Sequence, residues 1–117
     1  MKLHTNHLKP IALKVAETFS QRLYQRHQGI ERMIRSLRSS PSHRNLNAVL
    51  GAILSFLNAL PSQVPSGLLM NRILDLIDQH DLRSEPLDAT LPVSREIQKD
   101  IEKVTIQPYL ELTGGLF

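Results

Sequence analysis

Between Leu8 and Leu37 apolar residues return at intervals of three and four, a spacing that suits a helix and no other local structure. Leu8, Ile11, Ala12, Val15, Phe19 and Leu23 fall on one stripe of a helical surface. A helix through about Gln28 is predicted, with Pro10 tolerable only in its first turn. Carrying the stripe past Leu23 brings up Arg26, with Arg22 at its edge. Ile30, Met33, Ile34 and Leu37 form a second seam, from which Arg32 and Arg35 point away and Arg38 lies to one side. Gly29, between the two seams, is the natural break. It is either a left-handed cap closing one helix or a glycine tolerated inside a longer, bent one. Read as a cap, it makes residues 11–38 a hairpin of two helices.

Ser39-Ser40-Pro41-Ser42 supplies the next loop, with Ser42 as the N-cap of a helix from His43 to Leu60. Leu46, Val49, Leu50, Ile53, Leu54 and Leu57 follow helical spacing there, and no charged residue occurs from 45 to 71. Pro61 ends this helix too early for it to span a bilayer, so it is expected to be buried on most sides or pressed against a partner. Ser66 is positioned to cap a fourth helix running to about His80, with Leu69, Ile73, Leu76 and Ile77 inward. Residues 81–93 look like the longest loop. Ser94 then caps a fifth helix carrying Ile97, Ile101 and Val104, which Pro108 is expected to end or kink. The last residues suit a helical turn, an extended piece or a segment ordered by a partner. The fold class expected is all-α, a compact bundle of about five amphipathic helices in one domain, residues 1–117, with 113–117 as a flexible tail.

With 117 residues the chain has the length of one domain and the means to bury roughly 65% of its unfolded surface. It has no cysteine, so disulfides and thiolate metal sites are excluded. No secretory leader or membrane span is evident, and a cytoplasmic protein is expected. The formal charge of +3 hides an asymmetry. Residues 1–44 hold nine Lys and Arg against two acids, a net of +7, whereas the remainder carries −4. One end of the chain is suited to meeting anions.

Signs of catalysis are lacking. The five glycines form no phosphate-cradling loop or dinucleotide fingerprint. His4 and His7 lack further metal ligands nearby, and Asp75, Asp78 and Asp81 along one helix edge fit a solvated face better than a magnesium site. Only one histidine occurs in the last 73 residues, which argues against acid–base chemistry. The expectation is a protein that is not an enzyme, without catalytic residues, metal or cofactor.

Six of the nine bases in residues 1–44 are arginine, the side chain that meets phosphate in bidentate fashion. A solvated face, with Glu31 and Arg35 as an i,i+4 pair, is the plain alternative. Five aromatic residues leave little for base stacking, so contact would be with the sugar-phosphate backbone and not sequence-specific. A helix-turn-helix with Gly29 in its turn fails, because Gln25 stands where a small residue is needed and Arg35 and Arg38 where apolar ones are. The expected nucleic-acid-binding residues are Arg22, Arg26, Arg32, Arg35 and Arg38, with Lys14 and Arg44, and Lys9 beyond them, as outliers of the same patch.

A cysteine-free, five-helix domain of this size, with a basic surface (Arg22, Arg26, Arg32, Arg35, Arg38) and an uncharged helix (Leu46 to Leu60), resembles the small helical subunits of CRISPR interference complexes. The likeness is one of architecture over the whole chain, with no motif to carry residue roles. It implies a subunit without catalysis of its own, present in several copies in a ribonucleoprotein complex, touching target or displaced DNA through phosphates. The competing expectation is a protein-interaction module that dimerises or docks through the uncharged helix 45–60. Peripheral membrane binding is disfavoured, because the apolar seams are needed for the core.

Overall fold

The structure is a computed structural model that describes residues 9–61, 64–80, 82 and 92–117, with side chains in the first helix from Ser20 onward. The side chains of Ile11, Ala12, Val15 and Phe19, together with Leu8, His4, His7, Asp81 and most of the 81–93 loop, lie outside the described residues. Among the described residues there are four helices where about five were expected: α1 (Lys9–Ser39), α2 (His43–Asn58), α3 (Gly67–Gln79) and a composite α4. The last is one rod of three stretches, an α-helix over Arg95–Ile101, a wide π turn over Glu102–Ile106 and an α-helix over Gln107–Leu116. No strand occurs among the described residues. A lone antiparallel bridge joins Ser42 to Pro92.

The expected two-helix hairpin over 11–38 is a single helix, because Gly29 neither caps nor breaks it. A mid-helix glycine costs about 1 kcal/mol relative to alanine. Leu23 before it and Ile30, Ile34 and Leu37 after it all enter the same core, and each buried aliphatic side chain is worth roughly 1.5–3 kcal/mol. A left-handed cap at residue 29 would turn that line of side chains away, so continuity wins. The helix stops where Pro41 disfavours a helical residue before it, with Ser40 N–H making a last bond to Ser36 O. Met33, expected in the seam, is 40% exposed on the flank.

Ser42 caps α2 as expected, its hydroxyl accepting from Asn45 N–H at 3.1 Å. Leu46, Val49, Leu50, Ile53, Phe56 and Leu57 line the buried face of α2, which lies antiparallel to α1. Ser94 caps α4 in the same way, accepting from Ile97 N–H. Ser66 is a correction. It precedes α3 but makes no side-chain capping bond. Ile73 and Leu76 carry α3 into the core, with Leu69 and Ile77 half-buried beside them.

Pro108, expected to end or kink the helix, does not end it, and a π turn precedes it instead. The π turn makes Gln107 N–H reach back five residues to Glu102 O. This widening relieves the clash of a mid-helix proline ring with the preceding turn. Its added residue brings Thr105, Ile106, Tyr109 and Thr113 inward, and residues 113–117, expected as a tail, continue the helix to Leu116.

Tyr109, wholly buried, meets Phe56 edge-on at 5.5 Å between ring centroids, and its hydroxyl lies 2.8 Å from His27 Nδ1. With the imidazole hydrogen on Nε2, which is 3.4 Å from Glu31 Oε1, the phenol donates to Nδ1. Burial pushes the Tyr109 phenol well above its ordinary range, with the Glu31 carboxylate adding to the shift and Arg26 opposing it.

Gly29→Ala should stabilise the protein by about 0.5–1 kcal/mol in urea unfolding. The added methyl would find only an Arg32 guanidinium nitrogen at 3.8 Å, whereas a left-handed cap would be destabilised by the same change. Tyr109 gives a pH prediction. Its folded-state ionisation is shifted upward, so its contribution is complete below about pH 10, where the unfolded phenol titrates, and declines above it by about 1.4 kcal/mol per pH unit. Tyr109→Phe should cost roughly 1 kcal/mol at pH 7, and its deficit against wild type should shrink between pH 10 and 11.

Candidate nucleic-acid interface

A helix turns about 100° per residue, so bases that are close in sequence need not share a face. On α1, Arg26 lies toward α2 and donates through Nη2 to Ser55 Oγ at 2.7 Å. Arg38 lies some 120° away on the α4 side, where its Nε donates to Glu102 Oε1 at 2.6 Å. Arg22, Arg32 and Arg35 are exposed, and Arg32 borders a groove between α1 and α2 beside Asn45 and Ala48. Arg44 is exposed in the first turn of α2, which carries no acid. The α1 backbone carries Lys9 and Lys14, whose side chains lie outside the described residues. Among the described side chains of the expected set, Arg26 and Arg38 thus lie on different flanks of α1. Arg22, Arg32, Arg35 and Arg44 make no ion pair among the described residues, while Arg26 and Arg38 also join helices.

Glu31, expected to pair with Arg35, turns instead to His27. The partner that Arg38 finds, Glu102, comes from the acidic part of the chain. Three bases outside the expected set also approach Arg38. Arg95 and Lys99 border a groove at the end of α1, and Lys99 and Lys103 border its continuation along α4. Their spacing of four residues, 95, 99 and 103, was a readable helical row. It was masked by the net acidity of that part of the chain.

The arrangement offers cationic and hydrogen-bond-donating side chains on open helical surfaces. Among the described residues no group of three or more His, Asp or Glu side chains is placed to hold a metal ion. No helix there is long and apolar enough to cross a membrane. No protein-family model, curated protein or solved structure matches this chain.

The Arg38–Glu102 pair, with side chains 53% and 23% exposed, should show a coupling of about 0.5–1 kcal/mol in a double-mutant cycle of unfolding free energies, reduced by added salt. Arg35→Ala, by contrast, should leave stability within about 0.5 kcal/mol of wild type.

Proposed function

We propose that this chain is a non-enzymatic subunit of a larger ribonucleoprotein assembly and contacts nucleic acid through backbone phosphates. The supporting observation is the set of exposed guanidinium groups, Arg22, Arg32, Arg35 and Arg44, that have no acid paired to them among the described residues. Arg32 and Arg35 are neighbours on the α1 surface, and adjacent like charges on a helix are mildly destabilising. An anionic partner removes that repulsion. Phosphate also matches the planar donors of arginine better than a lone carboxylate does. Such a chain would suit the position of a small helical subunit in a CRISPR surveillance complex, in the cytoplasm and in several copies.

The competing role, docking through the uncharged helix, has less to work with. The apolar face of α2 is consumed by the chain's own core. What α2 leaves exposed is a strip that includes Ala48, Gly51, Ser55 and Asn58, short of the apolar centre that stable interfaces present.

Fluorescence anisotropy with a labelled single-stranded oligonucleotide tests the proposal. Arg32→Ala combined with Arg35→Ala should weaken binding at low salt and lessen the slope of log K against log salt by about 1.4, with circular dichroism unchanged. A stable dimer that ignores the oligonucleotide would favour the docking role.

A further inference from the structure

The helical row Arg95, Lys99 and Lys103 runs along the edge of α4 that faces α1. Arg38 stands across from it, held by Glu102 at 2.6 Å. Two adjoining grooves, of about 660 and 540 Å³, share Arg38, Lys99 and Glu102 in their walls and form one open channel between the helices. We infer, resting on the nucleic-acid reading above, that this channel is the seat of a single nucleic-acid strand held by its phosphates.

Charge favours an anionic occupant. Four bases line the channel against two acids, Glu102 and Glu111, and Glu102 is already bonded to Arg38. Glu111 sits at the far end, where Gln107 donates to it, and the exposed Glu96 and Asp100 of the same helix do not line the channel, so the bases outnumber the acids on its walls. Arg95, Lys99 and Lys103 are all exposed and form no ion pair among the described residues.

Dimensions agree with a strand. Eight residues of helix separate Arg95 from Lys103, a rise of roughly 12 Å, which leaves room for a short run of successive phosphates. The three side chains stand about 6 Å apart, each able to meet a separate phosphate. No aromatic ring lines the channel, so bases would not stack there and the strand would be held without regard to sequence. Glu102 has two effects. It fixes Arg38 in place, and it sets a negative charge beside the row that limits how tightly the channel grips.

The test compares full-length wild type, Lys99→Ala/Lys103→Ala and Arg32→Ala/Arg35→Ala in anisotropy titrations with a labelled oligothymidylate across a range of salt. Circular dichroism serves as the folding control. The Lys99/Lys103 variant should bind about tenfold more weakly at low salt, with the log–log salt slope lessened by about 1.4. Wild-type affinity and slope in that variant, alongside weakened binding in the Arg32/Arg35 variant, would overturn the channel and leave the nucleic-acid reading standing. A wild-type protein that binds no oligonucleotide at low salt would overturn both. Polyglutamate competing as well as the oligonucleotide, at equal charge, would overturn a nucleic-acid strand as the occupant.

Discussion

The contact between the Tyr109 hydroxyl and His27 Nδ1 is where three helices of this protein are joined. It ties α4 to α1 at 2.8 Å, and the edge of the same phenol rests on Phe56 of α2. A buried phenol without a partner would cost about 1–3 kcal/mol, so α4 cannot slide along α1 without losing this bond. Two flanking contacts agree with the resulting antiparallel order. Toward the C-terminal end of α1, Arg38 meets Glu102. In the opposite direction Tyr24 meets the Phe117 ring edge-on at 5.3 Å. The proposed strand channel therefore depends on a core contact, because its two walls belong to helices whose alignment that contact sets.

The π turn is what makes this contact compatible with a proline one residue earlier. An uninterrupted α-helix through Pro108 would press its ring on the preceding turn and forfeit a bond. Widening the helix over Glu102–Ile106 lets the chain accept Pro108 while Thr105 bonds back to Ile101 O at 2.6 Å. It also resets the inward face, so that Tyr109 and Thr113 are buried below a turn in which Thr105 and Ile106 are both inward. Thr113, in turn, returns its hydroxyl to Tyr109 O at 3.0 Å. Both buried threonines satisfy their polar atoms locally, which lets this stretch enter an otherwise apolar core.

Helical class, the caps at Ser42 and Ser94 and most of the core were legible in the sequence. Ile34, Leu46, Ile53, Ile73 and Ile101 announce themselves by spacing alone. What spacing could not carry was any feature decided by a partner distant along the chain. Gly29 and Pro108 are ordinary punctuation locally, yet both sit inside helices, because core contacts on either side outweigh the local cost. Tyr109 gave no periodic sign of being central, since its role depends on His27, 82 residues away. The arginines were visible as charge but not as a surface. A contiguous basic run wraps around a helix, and one of its members was matched with an acid from the other end of the chain.

That wrapping gives the cationic surface a direction. Moving back along α1 from Arg38 to Arg35 to Arg32 takes two steps of three residues, each about 60° around the helix and about 4.5 Å along it. The path begins beside Glu102 at Arg38 and rises to Arg35 on the outer side of α1, while Arg32 reaches toward Asn45 and Ala48 of α2. Arg26 lies on the opposite flank, where it is bonded to Ser55 of α2. A strand lying in the proposed channel would meet Arg35 on leaving it, and Arg32 only by passing over the outer side of α1 toward α2. On the proposed route Arg35 and Lys99, which are 64 residues apart in sequence, would therefore be successive contacts, with Arg38 between them.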